Sequence, residues 1–250
     1  MSTPRRYEKG VTNVAKGTTM GMFLDMDPSK IYGDFDDFFE YSATDKWVNT
    51  DVGGGAESIA ADLTGGVLVI DTGGAAGNHN MFQRAKNKGT GTLVSETFLF
   101  AAGKQAWFKA RFKVSVYGGI AGGGEAEDLI VYAGLHITNT DPVAAEPTDG
   151  VYFHSPTGSA DLYLRVRKGS NQLTTTKVST LQNLTWITVG YHWDGTSRLH
   201  YYIGDDYVDT LTPSTYLPDD ENLALSFGIE SVGDSADAMY IDYIGAWMER

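Results

Sequence analysis

Hydrophobic and polar positions alternate along most of this chain with a period of two, the spacing of a strand that buries one face. The clearest stretch is 185–206, where Ile187, Val189, Tyr191 and Trp193 share one face. After Asp194-Gly195 the pattern resumes on Leu199, Tyr201 and Ile203. This predicts two strands joined by an Asp-Gly turn, and a second glycine-containing turn after Ile203. His192 and His200 flank the first turn on the face opposite Tyr191 and Tyr201, which brings them close together.

Similar patterns predict strands over 67–71, 92–100, 106–114, 129–137, 161–167, 223–229 and 239–247. In the third of these, Ala106, Phe108, Ala110, Phe112 and Val114 face inward while Trp107, Lys109, Arg111 and Lys113 face out. The 129–137 run is almost continuously apolar, as expected of a strand buried on both faces. Over 161–167, Leu162, Leu164 and Val166 point inward and Tyr163, Arg165 and Arg167 outward. No segment carries a sustained helical period with caps. Many strands without β–α alternation predict an all-β fold, a two-sheet antiparallel jelly-roll sandwich.

Residues 1–33 break the pattern. Gly10, Gly17, Gly21 and Gly33 interrupt them, and Met20, Met22, Phe23, Leu24, Met26 and Ile31 are scattered without a period. They read as an extended N-terminal arm, with the sandwich at 34–250, and glycine-rich 118–124 and polar 139–148 read as long surface loops.

The 250 residues, 42% of them hydrophobic and 12% aromatic, suffice for one large β core. A net charge of −13 argues against a nucleic-acid partner, since phosphates demand a dense basic surface. No cysteine is present, which removes disulfides, thiolate chemistry and cysteine-held metals. The polar start, Met1 to Lys9, lacks the apolar core of a signal peptide, and no apolar run approaches a membrane span. The expectation is a soluble protein made in a cytoplasm, with no membrane partner.

Candidate chemistry is sparse. Glycoside cleavage needs two carboxylates flanking the bond, and sandwich glucanases of the laminarinase type carry Glu-x-Asp-x-x-Glu on one strand. This chain has no Glu-x-Asp, and Glu125, Glu127 and Asp128 end a glycine-rich loop, so no enzyme is expected. Asp34, Asp36 and Asp37, and Asp205, Asp206 and Asp209, are oxygen-rich enough to consider for calcium but lack the spacing of a calcium loop. The five histidines form no metal signature, and neither a phosphate loop nor a Gly-x-Ser-x-Gly elbow occurs. No cofactor is expected. Lys109, Arg111 and Lys113 form the one orderly basic row, with Arg165 and Arg167 expected nearby. Trp107, Trp193 and Tyr163 are candidates for stacking on sugar rings, with Trp193 better suited to the core.

Two resemblances follow. Trp186-Ile187-Thr188-Val189, Trp193-Asp194-Gly195 and Leu199-His200-Tyr201-Tyr202-Ile203-Gly204-Asp205, with the closing Tyr240-Ile241-Asp242-Tyr243-Ile244-Gly245, resemble laminin-G-like and concanavalin A-like jelly rolls. The second turn departs from that pattern, reading Gly-Asp-Asp where Asp-Gly is usual, which implies a longer hairpin there. Asp36-Asp37-Phe38-Phe39, Asp45-Lys46-Trp47, 65–72 and 96–114 resemble structural proteins of tailed bacteriophages. That second resemblance implies a capsid decoration (cement) protein at the virion surface, bound to a major capsid protein as a homo-oligomer, a trimer. The arm's Arg5, Arg6, Tyr7, Met22, Phe23 and Tyr32 would then be the partner-binding residues. The alternative is a lectin-like, carbohydrate-binding module of a phage fibre or surface protein, its ligand a host glycan.

Overall fold

The computed structural model describes residues 30–42, 46–61, 63–84, 95–116, 129–139, 145–234 and 236–250. In chain order the strands are β1 (Ile31–Asp36), β2 (Trp47–Val52), β3 (Glu57–Ile59), β4 (Leu68–Asp71), β5 (His79–Arg84) and β6 (Ala106–Ser115). They continue with β7 (Leu129–His136), β8 (Gly150–His154), β9 (Asp161–Lys168), β10 (Asn171–Thr174) and β11 (Ser179–Thr180). The last five are β12 (Ile187–Trp193), β13 (Leu199–Ile203), β14 (Asp206–Leu211), β15 (Ala224–Ser231) and β16 (Ala238–Glu249). One 3-10 turn, Ser214–Tyr216, follows β14, and no helix among the described residues is long and apolar enough to cross a membrane.

The strands form two antiparallel sheets. The first runs β14-β13-β12-β6-β16-β4-β3, with β1 also on β16, and the second runs β10-β9-β8-β7-β15-β5-β2, with β11 on β9. The twelve-residue β16 is long enough to take two short partners end to end: β4 along 238–241 and β1 along 244–249. Its other edge follows β6, with a register shift between Ile241 and Tyr243. The Asp242 carboxylate at that shift pairs with Arg111.

The alternation read from the sequence explains why these residues make a sandwich. Phe108, Phe112, Val114, Val189, Tyr191 and Ile244 from the first sheet pack against Val131, Leu135, Val151, Phe153, Leu164 and Phe227 from the second. All are essentially inaccessible, and the Tyr191 hydroxyl crosses the core to donate to the Val151 carbonyl at 3.1 Å. Phe38, Trp47, Phe82 and Phe227 close one end in stacked and edge-on contacts of 5.0–6.0 Å.

The Asp-Gly hairpin forms as expected. Gly195 has φ of 79°, a conformation an L side chain resists. Asp194 Oδ1 accepts the backbone N–H groups of Thr196, Ser197 and Arg198 at 2.8–3.0 Å. The next turn closes tightly rather than by a longer hairpin, because Gly204 takes φ of 64° and β14 begins at Asp206.

Two sequence expectations are corrected. Residues 95–100, expected within a strand, form no ladder: the Ser95 amide donates to the Arg84 carbonyl at 2.6 Å, and Phe98 makes an isolated bridge to Leu223. Their alternation reflects the burial of Phe98 and Phe100 in the core rather than ladder pairing. At the other end, β1 begins inside the segment read as an arm, with Ile31, Tyr32 and Gly33 pairing with Glu249, Met248 and Trp247. Gly33 allows this, since a Cβ there would lie 2.1 Å from the Trp247 ring.

Candidate functional site

Each sheet has an outer face, and the two are chemically different. On the first sheet, Trp247 pairs with Trp107, Trp107 with His192 and His192 with His200, so the four side chains form a row across β16, β6, β12 and β13. Trp107 stacks on His192 at 5.2 Å and His192 on His200 at 5.8 Å, confirming the proximity expected of the two histidines. The basic row is on this face and each cation is engaged. Lys109 pairs with Asp205 at 3.0 Å, Arg111 pairs with Asp242 and covers Trp186, and Lys113 lies over Trp186 and Tyr240.

Arg165 and Arg167 do not join that row. β9 belongs to the second sheet, and both arginines rise from its outer face. There the register sets out three rows. Thr174, Arg165, Tyr152, Gly134, Ser226 and Gln83 form the first. Arg167, Gly150 and His136 form the second. Tyr163, His154, Tyr132, Gly228 and Met81 form the third.

Glycines give the rings room. A Cβ on Gly134 would sit 2.4 Å from the Tyr152 Cα, so a bare backbone at this point lets β8 and its tyrosine lie close over β7. Tyr152 meets His136 edge-on at 5.9 Å and Tyr132 at 5.8 Å, while Tyr132 packs on His154 at 4.8 Å. Gly134→Ala is expected to force the two strands apart, costing on the order of 1–3 kcal/mol and shifting Tyr152. Chemical denaturation of the variant checks this, and a midpoint equal to that of the parent would refute the packing argument.

The polar groups of this face are buried with little to bond. Among the described residues, eleven buried side-chain nitrogen and oxygen atoms lack a hydrogen-bond partner. Seven of them lie here: His79 Nε2, His136 Nε2, Tyr152 OH, His154 Nδ1, Arg165 Nε, Arg167 Nε and Thr174 Oγ1. Arg167 lies beside the Tyr152 hydroxyl without reaching hydrogen-bond geometry. His136 Nδ1 meets the Ile137 carbonyl at 2.7 Å, which puts the proton on Nδ1 and leaves Nε2 as a bare lone pair. Burial pushes its pKa down to about 4. Burial, helped by Arg165 and Arg167, pushes His154 down to about 3, so both imidazoles are neutral at pH 7. Burial also raises the phenols of Tyr132 and Tyr152, which stay protonated.

The fixed charges are few. Glu146 binds both arginines, with Arg167 Nη1 donating at 2.6 Å. Glu230 lies 3.9 Å from His79 Nδ1. The face reaches solvent near Tyr163, Arg165 and Glu146, which are partly exposed.

The other sequence candidates are scattered. Trp193 is core, 3% exposed. Tyr163 stands on the second sheet's outer face and Trp107 on the first's, so the three aromatics make no common platform. Tyr32 is in β1, where it stacks on Phe98 at 5.8 Å and donates its hydroxyl to the Thr97 carbonyl. Arg5, Arg6, Tyr7, Met22 and Phe23 lie outside the described residues, as do Glu125, Glu127 and Asp128. Asp34 and Asp36 are engaged by Arg84, and among the described residues no three acidic or histidine side chains are grouped to hold a metal ion. Sequence reading missed the face itself. Its signal was a shared period of two: Tyr132-x-Gly134-x-His136, Tyr152-x-His154 and Arg165-x-Arg167.

No protein-family model and no curated protein matches the chain. Solved structures do. A protein of unknown function from Shewanella oneidensis superposes with a TM-score of 0.61 at 13% identity, covering 92% of this chain and 91% of its own. A Bacteroides ovatus mixed-linkage glucan GH16 protein, solved with a product, gives 0.57 at 13% identity over 84% of this chain and 98% of its own. Peanut lectin gives 0.52 at 11% identity over 88% of this chain and 97% of its own. At these identities the likeness is one of fold, and the fold is the concanavalin A-like lectin and glucanase jelly-roll sandwich.

Proposed function

We propose that this chain is a carbohydrate-binding, lectin-like module whose ligand seats on the outer face of the second sheet, across β9, β8, β7 and β15. The observation that carries the reading is the concentration there of seven buried polar atoms without partners. Each such atom costs on the order of 1–3 kcal/mol unless something meets it. A saccharide, which offers hydroxyls as both donors and acceptors, satisfies such a mixed set. The lone pair on His136 Nε2 takes a hydroxyl proton, and the Arg165 and Arg167 Nε–H groups donate to oxygens. The tyrosine and histidine rings supply the apolar surface that sugar C–H faces pack on.

The fold likeness to peanut lectin and to a protein solved with a glucan product supports this reading. It is a reading of binding, without turnover. The carboxylates on this face, Glu146, Glu230 and Asp161, are held by two arginines, by His79 and by Lys177, whereas glycoside cleavage needs one free acid and one free base.

Titration of the full chain against a panel of neutral and acidic oligosaccharides tests the proposal. Arg167→Met is expected to weaken binding by roughly tenfold or more, the loss of one charged hydrogen-bonding group. Trp107→Ala, on the opposite face, is expected to leave it unchanged. Absence of binding to every saccharide overturns the reading, and so does loss through Trp107 with none through Arg167.

A further inference from the structure

We infer that the ligand is a sugar bearing a carboxylate, a uronic acid or its like, and that Glu146 occupies the seat of that carboxylate in the free protein. The inference rests on the carbohydrate-binding reading of this face and adds the ligand's charge to it.

The argument begins with charge. Two guanidinium groups stand side by side on β9, with only 12% and 10% of their side chains exposed. They share one carboxylate, Glu146, so the pair keeps one uncompensated positive charge. No other cation need be counted among the residues that face them, because His136 and His154 are neutral. The facing tyrosines, Tyr132 and Tyr152, are neutral too. The other carboxylates of this face are engaged elsewhere, Glu230 beside His79 and Asp161 with Lys177, so in a protein with a formal charge of −13 the surplus positive charge is local to the two arginines. Burying an arginine is costly unless an anion meets it.

Geometry points the same way. A guanidinium presents five N–H donors in a planar fork that matches a carboxylate through two parallel hydrogen bonds. Glu146 takes one Nη1 from each arginine and leaves both Nε–H groups without a partner. Each arginine therefore keeps one buried Nε–H that Glu146 does not reach. Arg167 spends its Nη2 on the Ser170 carbonyl at 3.3 Å, a weak bond that holds the side chain in place.

Glu146 is also the removable part. It lies outside any strand, between the exposed Ala145 and the buried Pro147, with its side chain 30% exposed. Its departure breaks no ladder hydrogen bond, whereas the arginines are fixed by β9 between β8 and β10. A ligand carboxylate arriving at this rim meets two oriented forks and a competitor free to swing into water. Tyr163, the partly exposed ring beside His154 in the adjoining row, stands where the sugar ring of such a ligand would pass.

The experiment compares two probes on the full chain by calorimetry: an oligogalacturonate and the same oligosaccharide after carboxyl reduction. The parent protein is expected to bind the uronate at least tenfold more tightly, with an advantage that shrinks as salt is added. Glu146→Gln, which keeps the shape and removes the competing charge, is expected to tighten uronate binding by about tenfold and to leave the reduced probe within twofold. Equal affinity of the parent for the two probes overturns the inference while leaving carbohydrate binding intact. So does a Glu146→Gln variant that folds normally and binds the uronate no better. If neither probe nor any neutral saccharide binds, the binding reading falls and this one with it. Binding of a sulfated oligosaccharide in place of the uronate also counts against it, since the seat is argued for a planar carboxylate.

Discussion

Replacing Asp36 by alanine should destabilise the protein by about 3–5 kcal/mol, a large fraction of the 5–15 kcal/mol of an ordinary domain. Asp36 points inward from β1, 4% exposed, and accepts three hydrogen bonds. They come from the Phe38 amide at 3.0 Å, the Trp47 indole N–H at 3.0 Å and Arg84 Nη1 at 3.1 Å. β1 belongs to the first sheet, while Trp47 and Arg84 come from β2 and β5 of the second. One carboxylate thus ties the two layers together at the end where Phe38, Trp47, Phe82 and Phe227 pack.

Alanine leaves the indole and part of the guanidinium buried without acceptors, although Asp34 still holds Arg84. Asparagine keeps one acceptor and loses the charge, so Asp36→Asn should cost less than Asp36→Ala. Asp37 next door, partly exposed, is the control, and its replacement should stay within about 0.5 kcal/mol. Urea denaturation reads these differences as shifts in midpoint at constant slope. If Asp36→Ala and Asp37→Ala shift it alike, the carboxylate does not tie the sheets.

Arg84 also shows why some of this fold was legible in the sequence and some was not. β6, β9, β12, β13 and β15 announce themselves because large apolar residues recur at alternate positions, whether or not the face between them is wet. β7 announces itself by being apolar throughout. β5 reads His-Asn-Met-Phe-Gln-Arg, which has no such contrast. Its His79 and Gln83 are buried on the outer face, and Asn80 and Arg84 face the other way, into polar contacts with Asp71 and with Asp34 and Asp36. A strand that buries polar groups on both faces cannot be found by hydrophobic period. β8, five residues long, is missed for a related reason: Tyr152 and His154 look like solvent-facing positions and are in fact covered. The candidate face is built from these strands. Its polar, titratable residues are what hid it, since a site that must bind polar ligands departs from the pattern that marks a core. Arg165 and Arg167 were read correctly as outward, but their neighbours depend on sheet order. That order, with β9 beside β8 and β10 and far from β6, is long-range information no local pattern carries.

Acid should unfold this protein early, with a midpoint expected between about pH 4 and 5. His136 and His192 are pushed down to about 4 and His154 to about 3, each chiefly by burial. Arg165 and Arg167 add to the effect at His154, and His200 adds to it at His192. In the unfolded chain each titrates near its ordinary value of about 6.5. The sign follows directly. Between about pH 6.5 and 4 the unfolded state binds protons that the folded state refuses, so stability is complete above pH 6.5 and falls as the pH drops. The loss flattens only below the folded values.

Each histidine contributes a slope of at most about 1.4 kcal/mol per pH unit. Three together approach about 4 kcal/mol per pH unit, enough to exhaust a typical domain's stability before pH 4. Asp34, raised by burial against the pull of Arg84, works in the opposite direction but only near the carboxylate range, after most of the loss has occurred. Urea denaturation at steps from pH 7.5 to 4.5 measures the slope. His154→Phe removes one titrating ring whose Nδ1 has no partner and keeps its packing on Tyr132. It should therefore lower the slope by about one third while leaving stability at pH 7.5 nearly unchanged. A parent protein equally stable at pH 7.5 and 5 would show that these histidines take up protons in the fold as readily as in the unfolded chain. Their neutrality at pH 5, and the exclusion of protons by burial, would then be wrong.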